Sequence, residues 1–156
     1  MISWDTYFIE MAKLVSTKSK DGSTKVGCVL VGPDKQVLTT GFNGFPRGVC
    51  ESVDGVPERH ERPAKYGWTE HAERNAIFNA ARHGISTRGA VAYLNYAPYP
   101  CEQCMRALIQ AGIREIVGPP IPFPGVGNGT YYSTDSITPV MALEAGVILR
   151  VGCTHD

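Results

Sequence analysis

Two short stretches, His71-Ala72-Glu73 and Pro100-Cys101-Glu102-Gln103-Cys104, stand at the heads of two predicted helices, and the segment that carries them decides the fold. Thr69 reads as the N-cap of a helix through Ala72, Ala76, Ile77, Ala80 and Ala81, which Gly84 stops. Ala90 to Asn95 is an apolar strand. Cys101 then opens a second helix, through Met105, Leu108 and Ile109 to Gly112, with Pro100 suited to its first turn.

Outward from this unit the alternation continues. Ser3 caps a helix on which Trp4, Tyr7, Phe8, Met11, Leu14 and Val15 share a face. Val26 to Val31 and Val37 to Phe42 form a hairpin about the turn Gly32-Pro33-Asp34. Residues Arg47 to Gly67 read as a long polar loop, broken by Pro57 and Pro63. On the C-terminal side, Glu115 to Val117 is a short strand and Pro119 to Tyr132 is Pro/Gly-rich and irregular. Thr138 to Ala145 is helical, Gly146 ends it, and Val147 to Val151 is a last strand. Strands alternating with helices give an α/β fold, a central sheet covered by helices, and residues 1–156 fit one domain.

The charge balance limits the partners. Lys+Arg 15 against Asp+Glu 15 leaves no basic excess to replace counterions on a polynucleotide. No apolar run reaches the length of a membrane span, and Met1-Ile2-Ser3-Trp4-Asp5 has no signal-like pattern. The five cysteines include one C-x-x-C pair, which reads as a metal site in a reducing, cytoplasmic setting rather than a disulfide framework. Cys28 and Cys153 lie in apolar runs and read as buried small hydrophobes.

Chemistry follows from residue types and spacing. Cys101 and Cys104 lie three apart, on one helix face, near an N-terminus whose dipole favours thiolates. With His71 they make three zinc ligands, and a fourth position is left for a water, unlike a closed structural site. Glu73 is a carboxylate outside the metal set, two residues from His71, suited to carry protons to and from that water. This H-x-E…P-C-x-x-C arrangement is the signature of zinc-dependent nucleobase deaminases.

The chain resembles the deoxycytidylate (dCMP) deaminases across nearly its whole length. The matching stretches are Asp21 to Gly27, Gly41-Phe42-Asn43-Gly44, His71 to Ile77, Pro100-Cys101-x-x-Cys104 and Ala111 to Ile116. The resemblance implies a cytidine deaminase-like three-layer α/β/α fold with a central mixed sheet of about five strands. It implies hydrolysis of dCMP to dUMP with one catalytic Zn2+, in a homohexamer activated by dCTP and inhibited by dTTP. Asn43 would line the substrate pocket and bond the sugar, with Ala72, Tyr99 and Pro100 beside the base; Tyr99 either stacks on it or is plain wall. An effector site would use Gly44, Phe45, Arg47 and Asn75, with Lys25 and Arg47 as candidate phosphate contacts and Mg2+ accompanying a triphosphate.

Three points stay open at this level. Cys50 and His60 lie in the long loop where some family members hold a second, structural zinc, but no clear fourth ligand follows. Arg74 either reaches a phosphate or a neighbouring subunit. The alternative functions are a tRNA adenosine deaminase or another nucleobase deaminase, which share the ligand set, and a non-enzymatic zinc-stabilised module.

Overall fold

The elements run α1 (Trp4–Ser16), β1 (Gly27–Val31), β2 (Val37–Phe42), α2 (Lys65–Trp68), α3 (Ala72–Arg82), β3 (Val91–Leu94), α4 (Glu102–Gln110), β4 (Glu115–Gly118), α5 (Ile137–Glu144) and β5 (Ile148–Val151). The computed structural model describes residues 1–51, 59–121 and 137–152; Gly125 to Gly129, Tyr131, Tyr132, Cys153 and His155 fall outside them.

The five strands form one mixed sheet in the order β2-β1-β3-β4-β5. β1 is antiparallel to both β2 and β3, while β3, β4 and β5 run parallel. Side-chain alternation along a strand sends residues to opposite faces. Val29, Val31, Val91 and Tyr93 therefore join Phe8, Ile9 and Ala12 of α1 on one side. Cys28, Leu30, Ala92 and Leu94 join Ala72 and Ala76 of α3 and Met105 and Leu108 of α4 on the other. Helices on both faces of a mixed five-stranded sheet make the expected three-layer α/β/α architecture.

Two glycines set how closely the helices approach. A Cβ on Gly27 would lie 2.0 Å from the Ala12 carbonyl oxygen of α1, and one on Gly41 would lie 2.2 Å from the Ala72 carbonyl oxygen and 2.3 Å from the Ala76 nitrogen of α3. Neither position admits any other residue without moving a helix. Gly41 in particular fixes the start of α3, where His71 and Glu73 sit, against the sheet.

Three local expectations are corrected. The Ser3 cap holds, with its hydroxyl accepting the Thr6 N–H at 3.1 Å, but α1 buries Phe8, Ile9, Ala12 and Ser16. Of the expected face, Phe8 is buried and Met11 and Val15 pack partly buried against its cluster, whereas Trp4, Tyr7 and Leu14 are exposed. Only where α1 meets Gly27, at Ala12 and Ser16, does the close approach require small residues. Within the expected loop 47–67, Lys65–Trp68 forms a short helix. Thr69 is the C-cap of that helix, and the N-cap of α3 is His71, so the chain arrives at α3 two residues later than a conventional capping residue would indicate.

Candidate active site

The site is assembled from two helix starts. His71 is the N-cap of α3 and Cys101 the N-cap of α4, both extended in backbone and neither using its side chain to cap. Pro100 therefore precedes the cap of α4 rather than occupying its first turn, and Cys104 lies three residues into the chain from Cys101. The free N–H groups of two helix ends converge on one spot, a setting that favours anionic sulfur. His71 Nδ1 lies 3.4 Å from Cys101 Sγ and 3.3 Å from Cys104 Sγ. A tetrahedral zinc with ordinary Zn–S and Zn–N bonds separates such donors by about 3.5 Å. The donor set and its spacing thus fit zinc, with Nδ1 as the ligating nitrogen. Among the described residues this is the one group of His, Cys and acidic side chains close enough to share a metal.

The thiols are already unequal. Cys101 is held down to about 4, chiefly by the hydrogen bond from the Cys104 thiol and then by His71, against the opposing effect of burial. Cys104 is pushed up by its hydrogen bond to that thiolate and by burial. His71 is raised, first by its contact with Cys101. A cation at the centre removes the conflict by stabilising both thiolates together.

Glu73 lies in the first turn of α3 and is 2 % exposed. Burial raises its carboxyl above the usual range, and the phenol of Tyr96, which donates to Oε1, pulls it back down. Tyr96 itself is fully buried just beyond β3, and burial followed by the Glu73 charge raises its hydroxyl well above 10.

Glu73 and His71 form one wall of a cavity of about 170 Å³, lined also by Asp21, Thr24, Val26, Asn43, Arg62, Lys65, Tyr66, Thr69 and Ala72. Of the expected substrate residues, Asn43 and Ala72 line it. Asn43 accepts the Val26 N–H at 2.9 Å and donates to the Thr24 carbonyl at 2.8 Å, so its amide first of all braces the wall. Tyr99 and Pro100 are not among the described residues that line it: the turn in which the Tyr99 N–H donates to Ala97 leaves the ring at the surface. Lys25 is exposed and outside this cavity. Its cations are Arg62 and Lys65, and Lys65 is the buried one, 5 % exposed, with its Nζ 2.8 Å from both Asp21 Oδ2 and Ser23 Oγ. Burial would raise Asp21, but Lys65 and the donors of Ser23 and Thr24 hold it at about 2.

A second cavity, about 380 Å³, lies on the far side of the same wall and is lined by Phe42, Gly44, Phe45, Pro46, Arg47, Glu70, Asn75, Phe78, Asn79 and Arg82. Gly44, Phe45, Arg47 and Asn75, expected together, do come together here; Lys25 does not join them. The wall is a two-residue antiparallel bridge, Gly44 to Glu70, closed by backbone hydrogen bonds of 3.0 and 2.8 Å. Extended chain sends alternate side chains to alternate sides. Asn43, Thr69 and His71 accordingly face the smaller cavity, while Phe42, Gly44 and Glu70 face the larger.

Arg74 ties the two helix starts. It pairs with Glu70 at 3.2 Å and donates to Gln103 at 3.1 Å, and Glu70 in turn accepts the His71 N–H at 3.0 Å. Of the loop residues proposed for a second zinc, Cys50 is exposed, and His60 stacks on Phe45 with ring centroids 4.6 Å apart.

Sequence reasoning missed Tyr96, Lys65, Asp21, Glu70 and Arg82. Their types are generic and their partners distant, 23 positions for Tyr96 with Glu73 and 44 for Lys65 with Asp21. The one local signal was Asp21-Gly22-Ser23-Thr24, whose aspartate accepts the following N–H groups as an Asx turn.

Comparison with known proteins agrees with this geometry. The chain is 33% identical over 155 residues to the deoxycytidylate deaminase of Homo sapiens, covering 96% of this chain and 79% of that protein. It is 35% identical over 154 residues to the deoxycytidylate deaminase of Schizosaccharomyces pombe, covering 95% of this chain and 44% of that one. The fold is similar to that of the dCMP deaminase of cyanophage S-TIM5, with a TM-score of 0.69 at 22% identity over 95% of this chain and 96% of that one. The family model for the cytidine and deoxycytidylate deaminase zinc-binding region matches residues 2–118, and the chain belongs to that family of zinc-dependent deaminases.

Proposed function

We propose that this chain deaminates dCMP hydrolytically, giving dUMP and ammonia, in the cavity bounded by His71 and Glu73. The observation that carries the reading is a buried carboxylate beside a three-donor zinc cluster, on the wall of a cavity that also holds a buried lysine. Two relatives covering nearly the whole chain are named deoxycytidylate deaminase, which supports the substrate.

His71, Cys101 and Cys104 would hold the zinc, which when bound supplies Lewis acidity and makes a water nucleophilic near neutral pH. Glu73 is the group that would take a proton from the attacking water and give it to N3 of cytosine, which opens C4 to attack. It would then take the remaining proton from the oxygen added at C4, which becomes the carbonyl of dUMP, and pass it to the amine, which leaves as ammonia. The raised pKa of Glu73 suits a group that must both accept and release protons. Ala72, with only a methyl group, lets the base lie close to the start of α3. Asn43 keeps one amide hydrogen and one lone pair beyond its backbone bonds, enough for a sugar hydroxyl. Lys65 and Arg62 are the cations for the 5′-phosphate.

The larger cavity is the effector site in this reading. Phe42, Phe45 and Phe78 offer surfaces for a base, Asn75 and Asn79 offer amides, and Arg47 and Arg82 offer charge for the phosphates of dCTP or dTTP, with any accompanying Mg2+. The shared bridge between Gly44 and Glu70 gives a short route from that ligand to His71. Residues 1–156 acting as one deaminase domain, a homohexameric assembly and a cytoplasmic location complete the proposal. No helix among the described residues is long and apolar enough to cross a membrane.

Glu73→Gln tests the assignment. The variant should keep its zinc and lose dCMP turnover by about 10³-fold or more. An active Glu73→Gln protein would remove Glu73 from the mechanism.

A further inference from the structure

We propose that Tyr96 is a positioning residue for the deamination: its phenol holds Oε1 of Glu73, so that the proton moved between water and cytosine travels on Oε2. This rests on Glu73 being the proton carrier proposed above. The two side chains are 1 % and 2 % exposed, and the phenol donates directly to Glu73 Oε1. A glutamate has three rotatable bonds, and near a helix N-terminus it has backbone N–H groups as competing partners. A tyrosine set in a packed core has its hydroxyl placed by the ring. Tyr96 is set in this way, in the cluster with Ala72, Ala76, Met105 and Leu108 that fixes the starts of α3 and α4. An O–H donated to a carboxylate is among the stronger hydrogen bonds, and a misplacement of about 1 Å in a reacting group can cost about 10²-fold.

The zinc motif leaves this residue unexplained: Tyr96 is neither a ligand nor among the described residues lining the substrate cavity. Tyr93 provides the contrast. Three residues earlier, it faces the opposite side of the sheet, where its hydroxyl meets Asp5 at 3.2 Å. The same chemistry therefore serves packing on one face and the carboxylate on the other.

Tyr96→Phe removes one oxygen and keeps the ring. In the zinc-loaded enzyme kcat should fall about 10- to 100-fold, with KM for dCMP within about twofold and zinc content unchanged. Tyr93→Phe should leave kcat within about twofold. Adding Tyr96→Phe to Glu73→Gln should cost nothing further, since the effect passes through the carboxylate. Independently of activity, ¹³C-labelled tyrosine in the zinc-loaded protein should show the Tyr96 Cζ resonance, and not that of Tyr93, moving when Glu73 becomes Gln. Tyr96→Phe with full zinc and kcat within about twofold of the parent would overturn the proposal. So would a Tyr96 resonance indifferent to Glu73→Gln, a result obtainable even if Tyr96→Phe fails to fold. Should Glu73→Gln itself be active, the fault lies in the assignment of Glu73, and the two failures are distinguishable.

Discussion

The two cavities on either side of the Gly44–Glu70 bridge are built from the same two segments and are chemically unlike. The smaller is lined by the buried Glu73 carboxylate, by His71 of the metal-donor cluster and by the buried Lys65–Asp21 pair. The larger is more than twice its volume and combines phenylalanines, asparagines and two exposed arginines. One backbone crossing serves both, because adjacent residues of an extended chain point opposite ways. Glu73 and Cys104 are buried where the two helix starts converge, with His71 at the open side of the cluster. Groups suited to reversible binding are left where a ligand can come and go.

If the division is real, breaking the metal site should spare the other cavity. Cys104→Ser should abolish zinc retention and lower dCMP turnover by at least about 10⁴-fold, while calorimetry still detects dCTP binding. Loss of both together would show that the wall does not separate two functions.

Acid should discriminate between the cavities next. Asp21 is ionised in the folded protein down to about pH 2, against 3.8 for its ordinary value. Stability from its interactions is therefore complete above about pH 4 and is lost as pH falls through the range from about 4 to about 2, on the order of 2 kcal/mol in total. Denaturant titrations of the parent and Asp21→Asn should converge over that range. Curves that stay parallel would mean that the pair contributes nothing specific to the smaller cavity.

Arg62→Ala sharpens the comparison from the substrate side, raising KM for dCMP about tenfold and leaving any deoxycytidine turnover unaffected. The smallest effect is expected at Arg47, whose guanidinium already donates to Asn79 at the surface. Arg47→Ala should raise the half-activating dCTP concentration several-fold, about 3- to 10-fold, as read from rate against effector concentration.

The difference between the cavities also explains what the sequence could disclose. Zinc chemistry needs His and Cys at particular steps, so His71, Cys101, Cys104 and Glu73 were visible before any fold was known. Most of the strands were equally legible, since a run such as Val37 to Phe42 has one plausible state. The start of α3 was not, because His71 occupies the cap position with a side chain turned to the metal site, while Thr69 looked like the better cap. The buried face of α1 was legible at Phe8, Met11 and Val15 but not at its centre, where the contact at Gly27 sets Ala12 and Ser16 against the sheet and leaves Trp4, Tyr7 and Leu14 exposed. Lys65 and Tyr96 carry no local pattern. Their roles exist only once Asp21 and Glu73 have been brought to them by the fold.

The most direct test is the loss of ultraviolet absorbance when zinc-loaded protein is offered dCMP, cytidine, deoxycytidine and guanine in parallel, with and without dCTP. Turnover of dCMP, preferred over deoxycytidine through the phosphate and stimulated by dCTP, is the expected result. Turnover of another base with dCMP untouched in every condition would keep the zinc chemistry and contradict the assignment of both cavities.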